Sequence, residues 1–241
     1  MPTPDFLLPA NESLRLQALA PYRVLGTAPD AVFDEVARLT AKLFDVPIAL
    51  LSFVDEDSVW FKANFGLAGA EHVPRTEHVC AVAILKDELL IHEDLLREPC
   101  KLTKPGVAAD LQLRFHACQP LRTETGYSIG ALCIIDREAR TLTDEEQTRL
   151  HSLTDVVMKM LDLRLRLALD RPLAEASATW LRLYLRLDES LTRLGTLAEL
   201  ARWETPGTPA ALSYRKSLDE EANLVVQLLD VQTTAALATL R

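Results

Sequence analysis

Two copies of the pattern His-x-Cys are the part of the sequence best suited to chemistry. His78 and Cys80 form the first copy, and His116 and Cys118 form the second. Two thiolates and two imidazoles are one of the ligand sets that hold Zn²⁺ in tetrahedral geometry. Residues two apart in a strand point to the same face, so His116 and Cys118 would lie side by side. We favour the alternative that the cysteines are buried apolar side chains, and we predict no metal ligands.

A thiol-dependent active site is the catalytic alternative for the same region. Cys80, Cys100 or Cys118 could act as a nucleophile if its surroundings favoured the thiolate. The sequence contains neither a P-loop nor an HExxH motif. His151 lacks the neighbours of a phosphoacceptor histidine, because no acidic residue follows it directly. We therefore predict a protein without catalytic residues that is not an enzyme.

Aromatic and basic side chains offer a further way to hold a small ligand. Trp60 could stack on one, and Arg75 and Arg114 could bind an anion through paired hydrogen bonds. Packing of Trp60 and salt bridges of the two arginines are the structural alternatives that we favour. The acidic partners expected for the arginines are Asp34, Asp55 and Asp136.

Composition and charge restrict the classes of partner. The chain has 241 residues and a net charge of -9, so its surface repels nucleic-acid phosphates and anionic membranes. Its N-terminus lacks the basic start and apolar core of a signal peptide, and no apolar run is long enough to span a bilayer. We therefore predict a cytoplasmic protein whose four cysteines are reduced, with no nucleic-acid or membrane partner.

The elements that would position these residues are a set of short strands between helices. Helical spacing predicts a helix over about 30–44. Apolar residues on both parities over 48–54 predict a strand with both faces covered, and further strands are predicted at 59–64, 88–92, 113–121 and 128–136. Thr143 and Glu146 have the spacing of a capping box and begin a helix that runs to about 169.

Strand patterns end at Pro172, and helical patterns follow. A coiled-coil-like apolar seam recurs at alternating spacings of four and three, through Trp180, Tyr184, Leu187, Leu191 and Leu194. The segment 205–209 breaks this helix, and a last helix is predicted over about 210–240. The predicted hairpin, 173–241, cannot bury its apolar stripe alone. It must pack on the preceding domain or on a second copy of itself.

Several strings of the sequence, in their order and spacing, resemble the GAF family over about residues 11–169. These are 12–19, 22–25, 33–34, 46–55, 60–62, 66–67, 74–75, 80–81, 83–85, 114–115, 120–121, 130–136 and 142–143. The resemblance implies an α+β fold with a GAF-like central antiparallel sheet of about six strands flanked by helices, followed by the α-helical hairpin. We expect residues 1–169 to form the sensor domain, with its N-terminal arm and C-terminal signalling helix.

The resemblance also implies a role. We predict a non-catalytic small-molecule-sensing or scaffolding module in signal transduction, with a hairpin at 173–241 for dimerisation or partner binding. Neither the ligand nor any cofactor is identified, and another signalling protein is a possible partner. Residues expected at the ligand pocket are Trp60, Cys80, Arg114, His116 and Cys118. Residues expected at a homodimer contact are Leu150, Val157, Trp180, Tyr184, Leu187 and Leu191.

Two departures from the family bear on the pocket. GAF domains commonly have buried cysteines at the positions of Cys80 and Cys133, but an aromatic and then small residues where this chain has His116 and Cys118. The segment 98–110 also lacks the usual aromatic-Asn-Pro string. The alternatives implied by the family are a thiol enzyme of the free methionine sulfoxide reductase type and a metal- or chromophore-binding sensor. No Cys-His dipeptide is present for a covalent tetrapyrrole.

Overall fold

The computed structural model describes residues 3–67, 71–170, 172–205 and 208–240. Six strands form one antiparallel sheet in the order β3-β2-β1-β6-β5-β4. The strands are β1 (Ile48–Val54), β2 (Ser58–Phe65), β3 (His72–Pro74), β4 (Leu90–His92), β5 (Phe115–Arg122) and β6 (Ser128–Asp136). The predicted six-stranded sheet is thus confirmed, although β3 carries no apolar alternation in the sequence and was not predicted.

Helices occupy both sides of the sheet. In chain order they are α1 (Glu12–Leu19), α2 (Ala31–Leu43), α3 (Cys80–Ala83), α4 (Val107–Asp110), α5 (Asp144–Asp170), α6 (Leu173–Trp203) and α7 (Pro209–Ala238). Three short 3₁₀ turns lie at Asp5–Leu7, Ala20–Tyr22 and Arg75–Glu77. None of the helices in the described ranges has the length and apolar composition needed to cross a lipid bilayer.

The sheet separates two apolar cores, because the central strands bury both faces. Every residue of β1 is buried. Ala49, Leu51 and Phe53 face the helices α2 and α5, whereas Ile48 and Leu50 face the layer that contains α3. Apolar residues at successive positions of a strand require cover on both sides, as the sequence pattern predicted. The layer over the second face is built from the parts of the segment 72–113 that lie outside β3 and β4.

Capping groups fix the beginnings of the two helices that back the sheet. The Asp30 side chain accepts a hydrogen bond from the Val32 N–H at the start of α2. Before α5, the Thr143 N–H donates to Glu146 Oε2 (2.9 Å), and the Glu146 N–H donates to Thr143 Oγ1 (3.1 Å). This reciprocal pair is the predicted capping box.

The helices α6 and α7, which we call the helical tail, pack on the other helices of the same chain. α6 lies along α2, and α7 lies along both α5 and α6. Trp180 Nε1 donates to Asp30 Oδ1 at 3.0 Å, and the Trp180 ring meets Phe33 edge-on with centroids 5.6 Å apart. Of the two arrangements that the sequence left open, the structure shows the tail on the preceding domain.

This packing corrects the residues that we predicted for a homodimer contact. Leu150, Val157 and Leu187 are fully buried inside one chain. The partly buried Trp180, Tyr184 and Leu191 pack against the same core. Leu150, Val157 and Leu187 are therefore occupied within one chain, whereas Trp180, Tyr184 and Leu191 keep part of their surface exposed. Dimerisation itself stays a prediction.

Candidate functional site

Strand register places two cysteines side by side. Cys118 of β5 pairs directly with Cys133 of β6, and Cys133 also pairs with Leu50 of β1. Directly opposed residues in antiparallel strands point to the same face of the sheet. His116 lies two residues before Cys118 on β5, so its side chain shares that face. The sheet therefore supplies an imidazole and two thiols to the layer that contains α3.

A third thiol, that of Cys80, lies beside Cys118 and Cys133 and comes from the layer that covers this face of the sheet. Cys80 is the first residue of α3, which packs over β1, β5 and β6. Cys80 Sγ lies 2.7 Å from Cys133 Sγ and 3.7 Å from Cys118 Sγ. His116 Nδ1 lies 3.4 Å from Cys118 Sγ. One potential ligand atom from each of Cys80, His116, Cys118 and Cys133 lies within 4.8 Å of the others, and we call these four residues the Cys₃His cluster.

Burial and contacts between the side chains shift the pKa values of the cluster. The three cysteines are fully buried and His116 is 2% exposed. Burial raises the pKa of Cys118 and that of Cys133, and it lowers the pKa of His116. Burial also acts to raise the pKa of Cys80, but hydrogen bonds from Cys118 and Cys133 and the nearby His78 lower it well below the usual value. Of the three thiols, that of Cys80 is therefore the one for which these contacts favour the thiolate form.

Two further histidines border the cluster. His78 Nδ1 accepts a hydrogen bond from the Cys80 N–H at 3.2 Å, and its ring lies 5.9 Å from that of His116. His92 of β4 pairs directly with His116. Burial, and then the charge of His116, lowers the pKa of His92. Within the described residues, the buried Nε2 of His92 has no hydrogen-bond partner.

The residues predicted at the pocket separate into two groups. Cys80, His116 and Cys118 converge in the cluster. Trp60 instead stacks on His72 at a centroid distance of 4.4 Å and donates from Nε1 to Ser58 Oγ. Arg114 forms an ion pair with Asp94 and is 37% exposed. Trp60 and Arg114 are therefore held by structural contacts, and neither belongs to the Cys₃His cluster.

The arginine partners differ from those that the sequence suggested. Arg75 is fully buried, and its Nη1 donates to Glu12 Oε1 at 2.6 Å and to the Asp55 carbonyl at 3.0 Å. Arg114 pairs with Asp94 rather than with Asp136. The expected salt bridges form, but with acids that the linear sequence does not place nearby.

Cys133 completes the cluster and was not among the predicted site residues. In the sequence it appears within an apolar strand, where it looks like a packing residue. Only the pairing of β5 with β6 places it opposite Cys118. His78 belonged to the four-residue zinc pattern considered from the sequence, but its Nδ1 is used by the Cys80 N–H, and Cys133 takes its place in the cluster.

A serine motif also escaped the sequence analysis. Residues 126–130 read Gly-Tyr-Ser-Ile-Gly, the pattern of a nucleophile elbow. In such an elbow the serine is exposed on a turn from a strand into a helix. Here Ser128 is a buried first residue of β6, after a hairpin turn that contains Gly126. The structural context of a serine hydrolase is therefore missing at this motif.

The sequence model of the GAF domain family matches residues 28–161. The chain belongs to the GAF domain family. The match spans the sheet, all four residues of the Cys₃His cluster, and most of α5. The family resemblance and the fold that it implied are thereby confirmed.

This GAF chain is similar over part of its length to a curated protein and to solved structures. A cyclic di-GMP phosphodiesterase of Pseudomonas aeruginosa is 33% identical over 159 residues, which cover 66% of this chain and 27% of that protein. The chain thus spans about a quarter of the length of that curated relative. Solved structures with a similar fold include a free methionine-R-sulfoxide reductase of Neisseria meningitidis in complex with its substrate (18% identity, 62% of this chain, 89% of that one, TM-score 0.46). Another is the GAF domain of a phosphoenolpyruvate-protein phosphotransferase from Acinetobacter (12% identity, 62% and 93% coverage, TM-score 0.46).

Proposed function

We propose that this GAF protein is a non-catalytic sensing or scaffolding module of signal transduction, whose helical tail responds to the state of the Cys₃His cluster. The observation that carries the proposal is the alternation of β5 and β6. Cys118 and Cys133 face the cluster, while their strand neighbours Ala117, Leu132 and Ile134 belong to the core under the helices. A shift of either strand would therefore displace side chains on both faces of the sheet.

The route from the sheet to the tail runs through α5. This helix packs on β5 and also along α7. Polar contacts fix the second interface, since Arg149 Nε donates to Asn223 Oδ1 at 2.9 Å and Lys159 Nζ donates to Asp230 Oδ1 at 2.5 Å. A change in the position of α5 would therefore alter α7, and with it the surface offered to a partner. That partner is a second copy of the chain or another signalling protein.

Burial of the cluster supports a non-catalytic role. A substrate must reach its nucleophile, and the three cluster sulfurs lie in side chains with no exposed surface. The four free cysteines also support a reducing compartment, and we place the chain in the cytoplasm on that ground. The curated phosphodiesterase relative supports a place in signalling for the portion that the two proteins share.

A thiol-dependent reductase is the second candidate, because three thiols converge in one place. A turnover assay with free methionine sulfoxide and a dithiol reductant separates the two. The non-catalytic proposal expects no turnover above that of Cys118→Ser. Turnover that this substitution abolishes, and that Cys100→Ser retains, would establish the enzyme instead.

Sensing is tested by comparing two preparations of the same chain. One is protein purified from its own host, and the other is that protein unfolded, desalted and refolded to remove bound small molecules. Native mass spectrometry should show extra mass only in the first, and hydrogen exchange should then differ in α5–α7 as well as in the segment 72–113. Differences confined to 72–113 would contradict transmission to the tail. If the two preparations show the same mass and the same hydrogen exchange, the sensing role is rejected and only the scaffolding role remains.

A further inference from the structure

We propose that Cys80, His116, Cys118 and Cys133 bind a single Zn²⁺ ion. The proposal concerns the site itself and is independent of the signalling role. A chain that binds no metal could still sense another ligand or act as a scaffold. Conversely, a metal-bound chain could fail to transmit any change to its tail.

The spacing of the four side chains fits one tetrahedral ion. Zn–S bonds of about 2.3 Å and Zn–N bonds of about 2.0–2.1 Å give ligand-to-ligand distances of about 3.5–3.8 Å at the tetrahedral angle. Cys80 Sγ lies 3.7 Å from Cys118 Sγ, and His116 Nδ1 lies 3.4 Å from Cys118 Sγ. All four atoms lie within 4.8 Å of one another, so any pair near that limit would close by about 1 Å to reach the tetrahedral edge.

The Cys80–Cys133 distance must change on binding. Cys80 and Cys133 have their sulfurs 2.7 Å apart, so this pair has to open by about 1 Å to reach the tetrahedral edge. Both side chains can rotate about χ1, and they come from different elements, α3 and β6. Binding leaves three thiolate–zinc bonds and one imidazole–zinc bond, and each cysteine that is protonated beforehand releases its proton to solvent.

The ligand types favour zinc over buried packing alone. A buried imidazole needs a polar partner, and the hydrogen bonds of His116 in the described residues go to cysteine sulfur, which is a weak partner. Three thiolates and one imidazole form a common structural zinc set. A two-iron cluster shares the ligand chemistry but divides its ligands between two metal atoms, whereas these four are gathered around one point.

A site of this kind is structural. Four protein ligands leave no open coordination position, and the site is closed to solvent. Three ligands come from the sheet, and Cys80 comes from α3 in the layer above it. The ion would therefore fasten the segment 72–113 to β5 and β6.

Metal content gives the direct test. The chain is produced with added Zn²⁺, purified under reductant and desalted, and zinc is measured per chain by plasma mass spectrometry. About one equivalent is expected for wild type and for Cys100→Ser, because Cys100 lies outside the cluster. Cys118→Ser should bind Zn²⁺ at least about a hundredfold more weakly, since even indirect partners of a metal cost 10–100-fold. Co²⁺ in the wild-type site should show the visible bands of tetrahedral thiolate coordination.

A second variant keeps the test valid if Cys118→Ser fails to fold. His116→Tyr with Cys118→Gly gives the aromatic and small residue expected of the family at these positions, and it should fold without retaining zinc. The proposal is overturned if wild type is metal-free after growth with zinc, or if Cys118→Ser and the double variant retain as much zinc as wild type. It is also overturned if the reduced, metal-free chain takes up no Co²⁺, or if Cys80 and Cys133 are found as a disulfide in freshly isolated protein.

Discussion

Leu187 is the position at which the packing of the tail can be tested most sharply. It is fully buried in the core that α6 shares with α2 and α5. Leu187→Ala removes three carbon atoms from a site that cannot be filled by solvent. Buried leucine-to-alanine changes cost about 2–5 kcal/mol of unfolding free energy. We expect a loss of about 3 kcal/mol, at the centre of that range.

Urea unfolding followed by circular dichroism measures this loss. With a slope of about 1–3 kcal/mol per molar urea, a loss of about 3 kcal/mol lowers the midpoint by at least about 1 M. Leu185→Ala is the matched control, because Leu185 lies on the same helix with 55% exposure. It should stay within about 0.5 kcal/mol of wild type.

Protein concentration distinguishes packing within one chain from packing between chains. If Leu187 packs within its own chain, the midpoint is independent of concentration for both variants. If the tail instead packs on a second copy, the wild-type midpoint rises with concentration, as mass action requires. Equal midpoints for Leu187→Ala and Leu185→Ala would refute the tail arrangement altogether.

Other predictions follow from single contacts. Glu12→Gln should cost about 3 kcal/mol in thermal unfolding, because it removes the carboxylate that pairs with the fully buried Arg75. Burial raises the pKa of Glu12, but hydrogen bonds from two arginines outweigh it, so the folded pKa lies below 4.5. Stability from this group is therefore complete above pH 4.5 and is lost as the pH falls through the folded pKa, a dependence that Glu12→Gln should remove. Gly130→Ala should cost about 1–3 kcal/mol, since its Cβ would lie 2.1 Å from the Ser52 carbonyl oxygen. Gly195→Ala meets nothing within 4 Å and should stabilise α6 by about 0.5–1 kcal/mol.

Local patterns predicted the elements of the fold well. The two-sided apolar run of β1, the capping box at Thr143 and the seam through Leu187 each follow from the spacing of neighbouring residues. β3 escaped because a three-residue edge strand has too few positions to show alternation. The surface on which the tail packs could not be predicted either. An apolar stripe on a helix indicates that the stripe is buried, but it does not identify the surface that covers it.

The candidate site was half predictable. The spacing of His116 and Cys118 already implies that they share a face, and the structure places them so. Cys133 joins them only through strand pairing over 15 residues of chain order, and Cys80 only through the packing of α3 on the sheet. No local pattern encodes those two contacts, so the His-x-Cys pattern in the sequence includes His78 and leaves out Cys133.

The strength of metal binding would decide between the two roles that we propose for this GAF protein. β5 and β6 present Cys118 and Cys133 to one face and Leu132 to the core beneath the helices. An ion that never leaves would fix both strands, and the tail would then rest on a rigid scaffold. An ion released when the thiolates are oxidised or outcompeted would free the strands, and the change would reach α5 through β5. Sensing through a zinc-loaded cluster therefore requires that zinc exchange under cellular conditions, whereas an ion that stays would make the cluster part of a scaffold.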